Sequence, residues 1–126
     1  MELSKSLKHL QSALDPAWVK EITRGLEKEH LRVDAAGSIA QTPHPASFGA
    51  PLCHPEITLD FSEALIELVT PPISGSLSKL TQYMSDLTQY VSMHLQGEML
   101  HANSMPGPIL DAASIPLAYF GTSTRA

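Results

Sequence analysis

The 126-residue sequence predicts a single domain of the α+β class, in which a long helix packs over a small sheet. Two segments, 27–33 and the second half of 57–70, alternate their side chains with the period of a β-strand. Between residues 77 and 95, apolar side chains recur every three or four positions, as in an amphipathic helix. Because such a helix must bury its apolar stripe, we expect it to cover one side of the sheet.

The composition is that of a globular protein, with 43% hydrophobic and 17% charged residues. A net charge of -5 and scattered Lys and Arg residues argue against a nucleic-acid partner. No run of residues approaches the roughly 20 apolar positions that a membrane span needs. Cys53 is the only cysteine, so no intrachain disulfide can form, and we expect the protein in the reducing cytoplasm.

The amino-terminal segment predicts a short amphipathic helix that Asp15-Pro16 closes. Its apolar positions lie at helical spacing: Leu3, Leu7, Leu10 and Leu14. From Trp18 to Val33 the periodicity alone is ambiguous, because Trp18, Ile22 and Leu26 fit a helix whereas residues 27–33 alternate as a strand. Gly25 costs about 1 kcal/mol inside a helix relative to Ala, so it favours a break followed by a strand.

The strand predicted over residues 27–33 carries two acids. Glu27, Glu29, Leu31 and Val33 share one side, because alternate side chains of a strand point the same way. The side that ends in Leu31 and Val33 has the character of a core face. Its first half would place both carboxylates where unpaired charge must be paired, protonated or bound to a metal.

Turn and loop residues separate this strand from the next. Residues 34–37 are typical of a turn, and residues 38–41 of the short return strand of a hairpin. Residues 42–55 hold four prolines and a glycine, a composition that maintains neither a helix nor a central strand. We therefore expect a long loop there.

Residues 57–70 predict a second strand that stops at Pro71-Pro72. Its second half places Glu67 between Leu65 and Val69 on one side, so an acid again interrupts an apolar face. The long helix follows, with Ser76 as its expected N-cap and Gly97 as its expected C-terminal stop. Residues 98–126 have no strong period.

Four acids thus stand on or beside the two strands: Glu27, Glu29, Asp60 and Glu67. If the strands are neighbours in an antiparallel sheet, the four carboxylates can converge on one patch. Carboxylates without cysteine ligands select hard cations such as Mg²⁺ or Mn²⁺. Ions held in this way typically bridge nucleotide phosphates during phosphoryl transfer.

Other interpretations of these acids stay open. Alternating acids are commonly a solvated strand face, and Glu63 and Glu67 also have the spacing of surface residues on a helix. The chain would then be a non-catalytic acidic binding module. A hydrolase that uses a carboxylate pair for acid–base chemistry is a third interpretation. The histidines show no metal-ligand spacing and are expected mostly on the surface or in loops.

Several linked motifs resemble bacterial glutamate–cysteine ligase, also called γ-glutamylcysteine synthetase. They are Arg24-Gly25-Leu26-Glu27-Lys28-Glu29-His30-Leu31-Arg32-Val33, residues 37–45, residues 57–71, Ser104-Met105-Pro106 and Tyr119-Phe120-Gly121-Thr122-Ser123. The order of the motifs is that of the amino-terminal part of the family, and they span essentially the whole chain.

The resemblance implies a glutamine-synthetase-like fold with a curved antiparallel sheet covered by helices. It implies an ATP-dependent ligase that phosphorylates the γ-carboxylate of L-glutamate and joins it to the amine of L-cysteine, the first step of glutathione synthesis. By motif position, Glu27 would bind Mg²⁺ or Mn²⁺ on the ATP side, and Glu29, Asp60 and Glu67 would bind a second ion. Phe61 would line the cysteine pocket.

The resemblance assigns no catalytic residue within residues 1–126. The family chain is several times longer, and its further metal ligands, ATP contacts and glutamate-binding residues lie beyond this stretch. The motif at Gly121-Thr122-Ser123 normally continues with Asn, whereas here Thr124-Arg125-Ala126 follows. We therefore expect an amino-terminal fragment of the catalytic domain that is inactive alone. The metal hypothesis fails if Glu27 and Glu67 point to opposite faces of the sheet.

Overall fold

A computed structural model describes residues 2–14, 17, 21–109 and 111–121. Two helices and six strands follow one another in these ranges: α1 (Glu2–Ala13), β1 (Thr23–Arg24), β2 (Glu27–Val33), β3 (Ile57–Leu59), β4 (Leu65–Val69), β5 (Ile73–Ser74), α2 (Leu77–His94) and β6 (Met99–Leu100). Short 3-10 turns lie at Ala46–Phe48 and Ala112–Ser114. The α+β prediction is confirmed. No helix in the described ranges is long and apolar enough to cross a membrane.

The main sheet has four antiparallel strands in the order β3, β4, β2, β6. The second predicted strand, residues 57–70, proves to be two strands joined by a turn over residues 60–64. The turn closes because Leu65 donates its backbone N–H to the carbonyl of Ser62 at 3.1 Å. Asp and Ser favour such a local reversal. β1 and β5 pair separately as a two-stranded ribbon.

The larger core lies between the sheet and α2. Ile57, Ile66 and Leu68 of the β3–β4 hairpin are completely buried. They pack in one cluster with apolar side chains of α2, including Met84 and Val91. Burying side chains of this size stabilises the fold by roughly 1.5–3 kcal/mol each. The prediction that the helix covers one side of the sheet is confirmed.

The predicted core face of β2 is wrong for its first half. Register places Lys28 opposite Leu68 and His30 opposite Ile66, so those residues share the helix-covered face. Glu27 and Glu29 lie on the other face and are exposed. The reason is that the helix packs on the face of β4 that carries the apolar residues Ile66 and Leu68, which are buried beneath it.

A second, smaller core lies at the carboxyl end of β2. Leu31 and Ile115 pack there against buried Ile39, Ala40 and Ala64. The face that begins with exposed acids therefore does end in apolar contacts, as expected for Leu31. The predicted return strand reduces to one bridge between Val33 and Ile39, where the chain runs too briefly beside β2 to form a ladder.

The predicted turns and helix ends are largely confirmed. Gly37 has a φ of 81°, which glycine adopts without strain, and Asp34 accepts hydrogen bonds from the N–H groups of Ala36 and Ser38 at 2.9 Å. Ser76 is the N-cap of α2, although its side chain does not bond to the helix backbone. Gly97, with a φ of 73°, follows the helix end.

α1 covers residues Glu2–Ala13, as predicted, and its leucines at 7, 10 and 14 remain largely exposed. The closing Asp15-Pro16 pair and Trp18 lie outside the described residues. The proline-rich segment 42–55 is a loop with one 3-10 turn, from which Phe48 reaches the main core.

Candidate functional site

The four predicted acids lie together on the open side of the sheet. Glu29 of β2 stands directly opposite Glu67 of β4, and Glu27 lies two residues along the same face. Asp60 follows β3 directly, two residues after Thr58, which is also paired with Glu67. We call this surface, defined by Glu27, Glu29, Asp60 and Glu67, the acidic face.

The acids act on one another electrostatically. Partial burial raises the pKa of Glu67, and the negative charges of Glu27, Asp60 and Glu29 raise it further. Like charges disfavour ionisation when they lie within a few ångströms of each other. The convergence expected from the sequence is therefore present, and Glu27 and Glu67 share a face.

The positions of these side chains do not form a preorganised metal cage. Among residues 2–14, 17, 21–109 and 111–121, no group of three His, Cys, Asp or Glu side chains is placed to hold a metal ion. The donor set nonetheless fits a hard divalent cation, which takes carboxylate oxygens from flexible side chains.

Phe61 occupies the turn between β3 and β4, beside Asp60, and 79% of it is exposed. The turn is held by the segment that follows residue 115. Ala118 donates its N–H to the carbonyl of Phe61 at 3.2 Å, and Ser62 forms a β-bridge with Leu117. A large aromatic side chain thus stands in solvent on an anchored backbone. Leu117 and Tyr119 of the anchoring segment line part of a cleft of about 480 Å³.

Two buried charged residues were not identified as important from the sequence. Arg32 is 1% exposed and Glu63 is 7% exposed. Arg32 forms a salt bridge of 2.5 Å with Glu98, while the carboxylate of Glu63 accepts only backbone N–H groups. Burial of a charge requires such partners. The only signal in the sequence was the alternation that places Arg32 on the face opposite the acids.

His30 lies on β2, away from the surface and loop positions expected for most histidines, whereas His44 lies in the predicted loop. His30 and His44 are partly buried, and desolvation is the main cause that lowers the pKa of each. The charge of Arg32 lowers the pKa of His44 further, against the opposing effect of Glu63. Cys53 is exposed and free. None of these groups contributes to the acidic face.

An antiparallel sheet with a helix on one side and gathered carboxylates on the other defines an α+β protein with an open acidic face. Its family is shown by sequence. The family model for glutamate–cysteine ligase matches residues 7–126, and the chain belongs to this family.

Individual members of this family are similar to the chain in sequence. Glutamate–cysteine ligase from Alcanivorax borkumensis is 43% identical over 121 residues, and that from Saccharophagus degradans is 45% identical over 104 residues. The alignments cover 96% and 82% of this chain but 23% and 19% of the relatives. The chain therefore spans about a fifth of the length of these relatives.

Solved structures share the fold. Glutamate–cysteine ligase from Francisella tularensis, in complex with AMP, matches 82% of this chain and 21% of its own with a TM-score of 0.76 and 36% identity. A bifunctional glutathione synthetase from Pasteurella multocida matches 80% of this chain and 14% of its own, with a TM-score of 0.72 and 37% identity. The fold implied by the resemblance is thus the fold observed.

Proposed function

We propose that this chain supplies one wall of the active site of an ATP-dependent ligase that joins the γ-carboxylate of L-glutamate to the amine of L-cysteine. The observation that carries the proposal is the acidic face, in which Glu29 and Glu67 stand opposite each other and the charges of Glu27 and Asp60 act on Glu67. The family supports this chemistry, and the F. tularensis relative in complex with AMP supports ATP as co-substrate.

The acidic face would hold divalent ions, Mg²⁺ or Mn²⁺, with separate duties for its residues. Glu27 would bind the ion on the nucleotide side, while Glu29, Asp60 and Glu67 would share a second. Such ions neutralise phosphate oxygens and orient the nucleotide. The β2–β4 ladder keeps Glu27, Glu29 and Glu67 on one face, and the turn after β3 carries Asp60 beside them.

Phe61 would form part of the pocket for the cysteine substrate. Its ring stands in solvent beside Asp60, while its backbone is fixed by the hydrogen bond from Ala118. An aromatic ring in this position can exclude water from the region where the cysteine amine attacks. We place the reaction in the cytoplasm, where the cysteine substrate stays reduced and the free Cys53 is compatible with the environment.

Alone, the chain is expected to be inactive, because positioning of nucleotide and substrates supplies much of the rate of phosphoryl transfer. A coupled assay that follows ADP release in the presence of ATP, L-glutamate and L-cysteine tests this. Turnover by the 126-residue chain that requires both amino acids would overturn the expectation of inactivity.

The ion-holding role is tested by Mn²⁺ binding to the 126-residue chain, followed by electron paramagnetic resonance. Glu67→Gln should weaken Mn²⁺ binding by at least about tenfold, since even loss of an outer-shell partner of a metal site costs about 10–100-fold. Asp86→Asn is the matched control, because it removes one negative charge from α2, on the other side of the sheet.

Asp86 accepts a hydrogen bond of 2.8 Å from Gln82, and the Asn oxygen can accept the same bond, so the control should fold normally. Equal Mn²⁺ affinity in wild type and Glu67→Gln would contradict the ion-holding role. That result would favour the alternative, a non-catalytic acidic binding module.

A further inference from the structure

Arg32 is a buried side chain away from the acidic face, and its guanidinium has several hydrogen-bond partners. The four N–H groups on its two terminal nitrogens contact five oxygen acceptors: Nη1 donates to Thr42 Oγ1 at 2.7 Å and Glu98 Oε2 at 2.5 Å, and Nη2 donates to Thr42 O at 2.8 Å, Pro43 O at 3.1 Å and Glu63 O at 2.7 Å. Because Nη2 has two hydrogens, one of them is shared between two of these carbonyls. The bond to Glu63 joins the central strand β2 to the turn that carries Asp60 and Phe61. The planar fork of arginine allows one side chain to make all of these contacts.

Glu63 continues the connection from the turn to two other segments. Its carboxylate accepts the N–H of His44 at 2.7 Å and the N–H of Tyr119 at 2.5 Å. Its own N–H donates to the carbonyl of Pro116 at 3.0 Å. The turn is therefore fixed to the proline-rich loop on one side and to the segment around residue 117 on the other.

Arg32 lies on the opposite face of the sheet from the acidic face, but it contacts the turn that carries Asp60. Arg32 projects from β2 to the side opposite Glu29, since neighbouring pairs of the ladder alternate in direction. It contacts the turn at Glu63, three residues after Asp60 and two after Phe61. Asp60 and Phe61 precede this anchor in the turn and have no ladder partners on β2 or β4.

We propose that Arg32 and Glu63 are positioning residues, which hold the turn containing Asp60 and Phe61 in place beside Glu29 and Glu67. Their contacts are with protein atoms away from the acidic face, so they would act through the turn and not on an ion or a substrate directly. Arg32 fixes the turn to the central strand, and Glu63 fixes it to the loop at His44 and to Tyr119. The consequence for ion binding rests on the proposed function, whereas the positioning itself does not.

Amide hydrogen exchange measured by NMR on Arg32→Lys and Glu63→Gln tests the positioning. Lysine keeps the charge but has three donors in place of the fork, and the Gln amide loses one of the two oxygen acceptors. Both variants should accelerate exchange by about tenfold or more at four amides tied to the turn, as expected for local opening. These amides are those of His44, Glu63, Ala118 and Tyr119.

A purely structural role gives a different pattern. If Arg32 only adds to overall stability, the amides of the sheet core, such as Ile66 and Leu68, accelerate by the same factor as the turn. That pattern, or unchanged exchange at the four amides, overturns the proposal. Tyr83→Phe is the control, because it removes a hydrogen bond to Glu56 on the helix-covered side and leaves the turn untouched.

Mn²⁺ affinity of the same variants then separates this inference from the proposed function. With wild type binding Mn²⁺, both variants should bind about tenfold more weakly and Tyr83→Phe equally well. Equal affinity in all variants overturns the consequence for ion binding, and the exchange pattern then decides the positioning of the turn. If wild type binds no Mn²⁺, the ion-holding role fails and the exchange pattern alone decides the positioning. Should Arg32→Lys not fold, Glu63→Gln, which keeps the ion pair of Arg32 with Glu98, carries both measurements.

Discussion

Substitution of Glu67 by Gln should stabilise the metal-free chain. In the folded state Glu67 faces Glu29 across the β2–β4 ladder, where opposite residues have Cβ atoms about 4.5–5.5 Å apart. Two unit charges about 5–6 Å apart in water repel by about 0.7–0.8 kcal/mol. Glu27 and Asp60 add to this repulsion, and spreading of the side chains and salt reduce it. We expect a net gain of about 0.5–1 kcal/mol at pH 7 and low salt.

The pH dependence follows from the sign of the pKa shift. The folded pKa of Glu67 is raised above its ordinary value of 4.5, so the folded state binds more protons than the unfolded state between these two values. Stability of the wild type therefore rises as the pH falls through this window. The advantage of the Gln variant should shrink over the same window and disappear below an ordinary glutamate pKa.

Urea denaturation of both proteins across pH and salt measures the difference in free energy of unfolding. At about 1 M salt, where the screening length is near 3 Å, most of the gain should be lost. Saturating Mg²⁺ should make the wild type more stable than Glu67→Gln, because only the wild type keeps the Glu67 carboxylate as a ligand of the ion. Destabilisation by the substitution in low-salt, metal-free buffer would refute the account of the acidic face as a repulsive cluster.

Three further predictions concern other parts of the molecule. Leu68→Ala should lower the free energy of unfolding by about 2–5 kcal/mol in urea, whereas Leu117→Ala, at 82% exposure, should stay within about 0.5 kcal/mol; similar costs for both would contradict the assigned core. The hydrogen bond of Tyr83 to the Glu56 carboxylate raises the tyrosine pKa, so Glu56→Gln should lower it in an ultraviolet titration, and no change would exclude this bond in solution. Burial lowers the pKa of His44 in the folded protein below 6.5. The contribution of the neutral His44 ring to folding stability should therefore be fully present above pH 6.5 and be lost as the pH falls through the window below it. NMR titration of the His44 ring provides the check, and a midpoint at or above the ordinary value would contradict the burial.

The arrangement of the acids was predictable as far as local geometry determines it. Alternation within a strand is a local property, so Glu27 and Glu29 had to share a face wherever the strand lay. Their meeting with Glu67 depended on strand neighbours and register, which non-local contacts decide. The sequence could state that condition but could not establish the pairing of Glu29 with Glu67.

The covered face of the sheet was not predictable from β2 itself. Leu31 and Val33 indicated a core face, which holds at their end of the strand, but they did not show which face the helix covers. The opposite side of β2 displays Lys28 and Arg32, which gave no sign of burial. Ile66 and Leu68 on the neighbouring strand β4 determine which face of the sheet the helix covers. The register then places Lys28 and His30 of β2 on that same face. An arginine on a buried face is recognisable only when its partners are known, since Glu98 and the carbonyl of Glu63 are distant in sequence.

The order of the strands also sets an order of assembly. β3 and β4 are joined by a short turn, whereas each partner of β2 in the sheet lies far from it along the chain. Because the entropy of loop closure opposes distant contacts, the hairpin with α2 should form before β2 inserts. Glu29 meets Glu67 only at that late step. Relief of their repulsion should therefore appear mainly as slower unfolding, with little change in the folding rate, because the acidic face is completed only when β2 joins the hairpin.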